Sequence, residues 1–214
     1  GVFVSESHYL MALLDSVQYD TIYHEHLRYY SLTSLQHLLK SHGMNIIHAR
    51  PISTHGGSVR VYAAREGRRQ VEASVVEMLA AEAARGPIGK QLEEFKGRVV
   101  KSKVDLHALF SRIKANGERI YGISAPSRAS TLAHYVGIDD GIVDCILEIK
   151  GSKKIGRYLP GTMIPVVEES SLFNDQPEYA LILAWHIADD LASKLRGLGY
   201  NGKFIVPLPQ PRII

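Results

Sequence analysis

Four polar side chains follow one another in the segment Tyr23-His24-Glu25-His26, which offers two imidazoles, a carboxylate and a phenol. An imidazole gains and loses a proton near neutral pH, and a neighbouring carboxylate can fix its tautomer. These residue types at this spacing therefore predict proton transfer. An extended backbone would send alternate side chains to opposite faces, so their convergence on one substrate requires a bent backbone.

Further polar aromatic residues precede and follow this cluster, and we expect some of them to crowd the same cleft. They are His8, Tyr9, Tyr19, Tyr29, Tyr30 and His55. Two other interpretations of the cluster stay open. It could only cap a strand through ordinary hydrogen bonds, or His24 and His26 could bind zinc together with Glu25 or His55, although no cysteine pair and no His-Glu-x-x-His helix supports a zinc site.

The composition bounds the class of protein. With 214 residues and 45% hydrophobic residues, the chain can form one large or two small domains with a full core. The net charge of +3 comes from scattered basic residues and does not indicate a nucleic-acid partner. The single cysteine, Cys145, lies in an apolar run, which favours a buried packing role and a reducing compartment.

The sequence also bears on location. It has no apolar stretch of the ~20 residues that span a bilayer and no signal peptide, so we expect a cytoplasmic protein without a membrane partner. The chain begins at Gly1 in a strand pattern without an initiator Met, as an internal fragment would.

The first part of the chain predicts a strand, the cluster, a helix and a hairpin. The hairpin strands are joined by the loop Ser53-Thr54-His55-Gly56-Gly57, where glycines let the backbone turn back or approach a ligand closely. Two helices separated by Gly86-Pro87 then fill residues 70–117. The predicted elements of the first part are a short apolar strand beginning at Val2-Phe3-Val4, a helix from about Ser34 to His42, and strands at Met44 to Ile52 and Ser58 to Ala64.

Strands alternate with helices from Arg119 onward, which predicts a doubly wound parallel sheet. The strands are Arg119 to Ile123, Ile142 to Leu147, Met163 to Val167, Tyr179 to Ala184 and Lys203 to Val206, and the helices are Arg128 to Val136 and Ile187 to Arg196. Ligands of such sheets lie at the carboxyl ends of the strands, where the turns Ser124 to Ser127 and Gly151 to Gly156 fall.

These turns offer candidate anion ligands. Ser127 and Arg128 open a helix whose free N–H groups favour a phosphate, and Lys154 and Arg157 could grip a second phosphate or an acidic partner. The alternatives are a simple tight turn and a solvated basic loop. Trp185-His186 could reach the same crevice, although packing is the safer interpretation of the indole.

Four motifs in order carry a resemblance that covers essentially the whole chain. They are Tyr19-Asp20-Thr21-Ile22-Tyr23-His24-Glu25-His26, Thr54-His55-Gly56-Gly57-Ser58-Val59-Arg60-Val61-Tyr62, Gly156-Arg157-Tyr158-Leu159-Pro160-Gly161-Thr162 and Lys203-Phe204-Ile205-Val206-Pro207-Leu208-Pro209. The chain resembles the S-adenosylmethionine-dependent C-methyltransferases that act on nucleotide-linked keto-deoxysugars.

The resemblance implies an α/β fold in three parts. Residues 1–66 would be the last strands of a class I methyltransferase sheet with an antiparallel hairpin, residues 67–117 a helical connector, and residues 118–214 a Rossmann-like C-terminal domain. The glycine-rich turn that binds S-adenosylmethionine has no counterpart here, and zinc is expected only in a missing N-terminal domain. This chain alone should therefore not methylate without the N-terminal half of the enzyme.

The resemblance also implies roles for single residues in deoxysugar biosynthesis. His26 would be the general base, Glu25 its orienting partner and Tyr23 the donor to the enolate, whereas His24 equally suits a structural role. His55, Ser127, Arg128, Lys154 and Arg157 would bind the nucleotide-linked sugar, and no metal is expected in this chain. Arg128 stands where the family pattern has Lys. The alternative function is a non-catalytic module that binds a nucleotide sugar or a dinucleotide.

Overall fold

The computed structural model describes residues 1–214, apart from the side chain of His55. The chain forms two compact units, one of residues 1–18 and 24–97 and one of residues 19–23 and 98–214. The limit at residue 97 falls within a long helix, α4 (Ile88–Ala115). The three predicted domains, with limits at residues 66 and 117, are a different division of the chain and stay a prediction.

The first unit contains a three-stranded antiparallel sheet. Its strands are β1 (Phe3–His8), β2 (Met44–Ile52) and β3 (Ser58–Arg65), in the order β1-β3-β2. The helices of this unit are α1 (Leu10–Asp15), α2 (Leu32–Lys40), α3 (Ala73–Ala84) and the start of α4. The hairpin and the two helices around Gly86-Pro87 confirm the prediction for this part of the chain.

The core of the first unit lies where α2 and α3 pack on the sheet. Leu32, Leu35 and Leu39 recur at helical spacing and are buried against Val59 and Val61 of β3. Each leucine contributes about 2 kcal/mol through burial. The Ser31 hydroxyl accepts the Ser34 N–H, so α2 begins at a formed cap.

The cluster does not directly follow a strand, contrary to the prediction. Helix α1 and a short 3-10 turn, Tyr19–Thr21, lie between β1 and the cluster. The run Leu10-Met11-Ala12-Leu13-Leu14 begins without a side-chain cap, and its apolar residues do not distinguish a helix from a strand. Three of these residues are buried, so packing stabilises the helix.

The glycines of the hairpin loop serve the fold. A Cβ at Gly57 would lie 2.5 Å from Cβ of Ala12, and the Gly57 φ of 123° is rare for other residues. Gln18 Nε2 donates to the Gly56 carbonyl over 2.6 Å. The groups that closely approach the backbone of these glycines are therefore Ala12 of α1 and the Gln18 side chain after α1.

The second unit is a mixed sheet with mostly parallel strands. It contains β4 (Ile120–Ile123), β5 (Cys145–Glu148), β6 (Val166–Glu168), β7 (Tyr179–Ile182), β8 (Lys203–Val206) and β9 (Arg212–Ile213), in the order β6-β5-β4-β7-β8-β9. Its helices besides the end of α4 are α5 (Ser127–Val136), α6 (Ser170–Asp175) and α7 (Ala188–Gly197). Only β9 is antiparallel to its neighbour among these strands.

These two sheets confirm the predicted fold class. Helix α5 ends where Gly137 takes a left-handed φ of 83°, as the sequence predicts. Cys145 is buried on β5, and burial raises the pKa of its thiol to about 12, which keeps it a protonated packing residue. The short elements α6 and β9 were not predicted.

The direction of strand order reverses at β4 in the second unit. β5 and β6 follow on one side of β4, whereas β7 and β8 lie on the other. The loops that leave the carboxyl ends of β4 and β7 therefore part to opposite sides and leave a crevice, the position where sheets of this kind bind ligands. No helix in the described part of the chain combines the length and apolarity of a bilayer-spanning helix.

Candidate functional site

The cluster lies on a bent backbone. Tyr23 occupies a bend, and His24 and Glu25 form a turn. The bent backbone that convergence requires is therefore present, and the convergence of the side chains stays a prediction. Tyr23 and His26 are partly buried, whereas His24 and Glu25 are exposed. His26 is thus the imidazole of the pair with a partly desolvated environment.

His8 of β1 lies against His26 in the first unit. The two imidazole rings meet edge to face with their centroids 4.3 Å apart. His8 is the last residue of β1 and pairs with Ser58 of β3, so the sheet fixes its backbone. The sequence names His8 only as a neighbour of the cluster, and the structure makes it a direct contact of the predicted base.

Glu82 of α3 binds the start of α2, the helix that follows the cluster in sequence. Its Oε1 accepts the Leu32 N–H over 2.6 Å and the Tyr9 phenol over 2.9 Å, and its Oε2 accepts the Thr33 N–H over 2.9 Å. A carboxylate here satisfies free N–H groups of α2 and complements the helix dipole. Burial and then the Glu82 charge raise the pKa of Tyr9, which stays a neutral donor.

Glu82 was not found by sequence reasoning. It lies 50 residues from Leu32 along the chain, inside an alanine-rich helix. The only available signal is a charged residue on the apolar side of α3, next to Met78 and Leu79, which pack on the core.

In the second unit, Asp20 lies in a buried polar network. Its Oδ2 accepts the Trp185 indole N–H over 2.8 Å and lies 3.1 Å from Nε of Arg128. The Arg128 guanidinium also lies 5.5 Å from the indole ring centroid. Burial raises the pKa of Asp20, and the charge of Arg128 opposes that shift. Asp20 was not predicted as a site residue.

A cavity of about 240 Å³ lies at the carboxyl ends of β4 and β5. Three predicted ligands line it together: Ser127, Lys154 and Arg157. The structure thus joins the two turns that the sequence places at this edge of the sheet. Arg128 instead packs with Asp20 and is 8% exposed, and its assignment as a substrate ligand stays a prediction.

Lys154 is held at the mouth of this cavity. Its Nζ donates to the Ala125 carbonyl over 2.7 Å and to Oε1 of Glu148 over 3.1 Å. Burial acts to raise the pKa of Glu148, but the Ala125 N–H and Lys154 outweigh it and lower that pKa. An ionised Glu148 therefore fixes one cation, while Nε of Arg157 donates to the Lys153 carbonyl over 3.1 Å.

The sequence also raises a ligand role for His55 and a possible zinc site. The His55 side chain lies outside the described part of the chain, so its predicted place beside the cluster stays a prediction. Among the described side chains, no group of three or more His, Cys, Asp and Glu is placed to hold a metal ion.

Comparison with known proteins identifies the family. A family model described as the C-methyltransferase C-terminal domain matches residues 53–209. The chain belongs to this family. The C-methyltransferase NovU of Streptomyces niveus is 34% identical over 217 residues, in a match that covers 100% of this chain and 51% of NovU. The chain therefore spans about half the length of this curated relative.

The family assignment confirms the resemblance carried by the four motifs. The last three motifs lie wholly inside the region that matches the C-methyltransferase C-terminal domain. The Tyr23-to-His26 cluster precedes residue 53 and lies outside that region. The match to NovU includes the cluster as well, because it extends over the whole chain.

Proposed function

We propose that this chain is the C-terminal part of an S-adenosylmethionine-dependent C-methyltransferase that acts on a nucleotide-linked keto-deoxysugar. One observation carries the proposal: in a chain of the C-methyltransferase family, the partly buried His26 lies on a bent segment with its ring against His8. Methylation at carbon requires removal of a C–H proton, and a positioned imidazole is suited to that task.

The residues of this chain act on the sugar. His26 takes the proton from the carbon beside the ketone, and Glu25 orients the His26 ring or accepts a hydrogen bond from the sugar. The Tyr23 phenol donates to the developing enolate oxygen, where a fixed donor in a dry site is most effective. His8 restricts the rotation of the His26 ring through their edge contact.

S-adenosylmethionine supplies an electrophilic methyl group when bound, and we assign its site to the half of the enzyme that this chain does not span. The residues here do not fit that cofactor. The turn Ser124-Ala125-Pro126 between β4 and α5 contains no glycine that would let a cofactor approach the backbone.

The cavity beside α5 is the proposed site for the phosphates of the sugar nucleotide. Lys154 and Arg157 supply two cations, and the first turn of α5 has no side-chain cap on its N–H groups. Phosphate oxygens are strong acceptors for all of these donors. Ser127 adds a hydroxyl at the same edge.

Substitution of His26 by Asn in the whole enzyme tests the catalytic part of the proposal. We expect the turnover rate to fall by roughly two to four orders of magnitude, because a positioned base is lost. His24→Asn is the matched control, since it makes the same change two residues away at an exposed position. Turnover of the His26 variant within about tenfold of wild type would remove His26 from this role.

A further inference from the structure

The crevice at the switch point of the second unit is filled by the chain itself. Residues 19–23 belong to this unit, and their 3-10 turn packs against α5. Tyr19, Asp20 and Thr21 are 5%, 0% and 1% exposed. Trp185 lies in the 3-10 turn that follows β7, and Arg128 lies in the first turn of α5, which follows β4, so they border the crevice from its two sides. A ligand of a doubly wound sheet would lie at this position.

The charge of Asp20 suits that position. Its carboxylate lies beside Arg128 in the first turn of α5, where the helix dipole favours an anion. The Trp185 indole supplies a second donor to the same oxygen. A buried ion pair gains little net stability over apolar packing, but losing one partner leaves the other buried and unpaired. The network therefore holds one arrangement of the segment in preference to others.

Two backbone hydrogen bonds connect this anchor with Tyr23, the first residue of the cluster. The Ile22 N–H donates to the Tyr19 carbonyl and the Tyr23 N–H to the Thr21 carbonyl, each over 3.0 Å. Tyr23 lies three residues after Asp20, so a displacement of the anchored turn carries the Tyr23 backbone with it. We propose that the switch-point crevice is a receptor for residues 19–23 and that Asp20 is a positioning residue for Tyr23. The catalytic half of this inference rests on the proposed function.

One consequence concerns ligands. Because Asp20 occupies the anion position beside Arg128, a dinucleotide cannot bind in this crevice without expelling the segment. A nucleotide bound to this unit must use another place, and the cavity lined by Ser127, Lys154 and Arg157 offers the required donors.

The anchor can be tested on this 214-residue chain without any assay of methylation. Trp185 is the single tryptophan, so its fluorescence reports on the crevice alone. In Asp20→Ala we expect its emission to shift to longer wavelength and the amides of residues 19–23 to exchange on the order of a hundredfold faster, as after loss of one partner of a buried ion pair. Asp20→Asn keeps an acceptor for the indole and should change both quantities less.

Asp144→Asn is the control for this measurement. It makes the same change in the same unit at a carboxylate that accepts the Ile120 N–H and pairs with Lys114. We expect emission and exchange at residues 19–23 to stay as in wild type. If Asp20→Ala is folded by circular dichroism and its Trp185 emission and amide exchange at residues 19–23 are unchanged, the crevice is not a receptor for this segment.

The positioning role is tested in the whole enzyme. We expect Asp20→Ala to lower kcat by roughly tenfold to a hundredfold, with KM for the sugar nucleotide little changed and the pH dependence of kcat retained, since the base itself is intact. Asp20→Asn should restore part of the rate. If kcat falls only in proportion to the fraction of folded, active protein, or does not fall at all, Asp20 has no positioning role. An inactive wild type or an active His26→Asn variant would instead overturn the proposed function, and the fluorescence result would stand.

Discussion

One buried carboxylate precedes the Tyr23-to-His26 cluster in sequence and another follows it, and the two contact different groups. Asp20 pairs with a guanidinium and an indole at the crevice of the second unit. Glu82 accepts backbone N–H groups of Leu32 and Thr33 and the phenol of Tyr9 in the first unit. The Asp20 anchor faces a buried guanidinium, whereas the Glu82 anchor accepts neutral N–H and O–H donors at a helix start. Alanine at Asp20 should therefore cost more stability than alanine at Glu82.

The largest loss of stability is expected from Asp20→Ala. Arg128 would stay buried without its carboxylate, at a cost of about 3–5 kcal/mol in the free energy of unfolding. Asp20→Asn should lose less, because its amide oxygen still accepts the Trp185 indole N–H. Urea unfolding followed through Trp185 fluorescence measures both variants. A loss below about 1 kcal/mol for Asp20→Ala would place this pair with ordinary surface ion pairs.

Glu82→Ala should cost about 2–3 kcal/mol, because it leaves the first N–H groups of α2 and the Tyr9 phenol unsatisfied. Glu82→Gln should cost less than half of that, since one carbonyl oxygen still accepts. Circular dichroism during urea unfolding and exchange of the α2 amides measure the effect. Glu77→Ala on the exposed side of α3 is the control. Equal losses for the Gln and Ala variants would mean that charge, not acceptor geometry, dominates.

Binding of a nucleoside diphosphate to this chain should depend on the cavity cations. We expect Lys154→Ala and Arg157→Ala each to weaken binding about tenfold, the usual result of removing one charge-assisted hydrogen bond. Isothermal titration calorimetry measures it, and Lys150→Ala serves as the exposed control. Binding that both substitutions leave intact would move the nucleotide site away from this cavity.

The ionisation of Glu148 and that of Asp20 should change the stability of the second unit in opposite directions as the pH rises. The lowered pKa of Glu148 means that its contribution is present above the ordinary value of 4.5 and is lost as the pH falls below it. The raised pKa of Asp20 means that its titration lowers stability as the pH rises above 3.8 through the folded-state value.

Unfolding of the second unit measured from about pH 3 to pH 7 checks this difference. Glu148→Gln should remove a component that rises with pH, and Asp20→Asn one that falls with pH. The expected change is smaller than the losses above, about 1.4 kcal/mol per pKa unit. The same sign in both variants would contradict the assigned environments.

Local signals allowed much of the fold to be predicted. Strand β2 has the predicted bounds Met44–Ile52, Gly137 ends α5, and Gly86-Pro87 separates α3 from α4. In each case the deciding information lies within a few residues: periodicity, a left-handed glycine or a proline. Helix α1 was missed because its apolar run has no cap to separate helix from strand.

Candidate residues could be named from the sequence where the signal is local. Ser127, Lys154 and Arg157 lie in the segments that follow strands β4 and β5, whereas the cluster stands out by residue type alone. Asp20 and Trp185 lie 165 residues apart, and their contact depends on how the sheet closes around the crevice. A buried carboxylate reads in sequence as an ordinary polar residue, so neither Asp20 nor Glu82 could be assigned before the structure was known.

The most direct test of the central claim is hydrogen exchange at the sugar carbon. The whole enzyme is incubated in deuterium oxide with a nucleotide-linked keto-deoxysugar, without a methyl donor, and deuterium at the carbon beside the ketone is followed by NMR. We predict that wild type incorporates deuterium at that carbon and that His26→Asn does so at least about a hundredfold more slowly, while His24→Asn behaves as wild type. Equal incorporation by the His26 variant would contradict the assignment of the base and the account built on it.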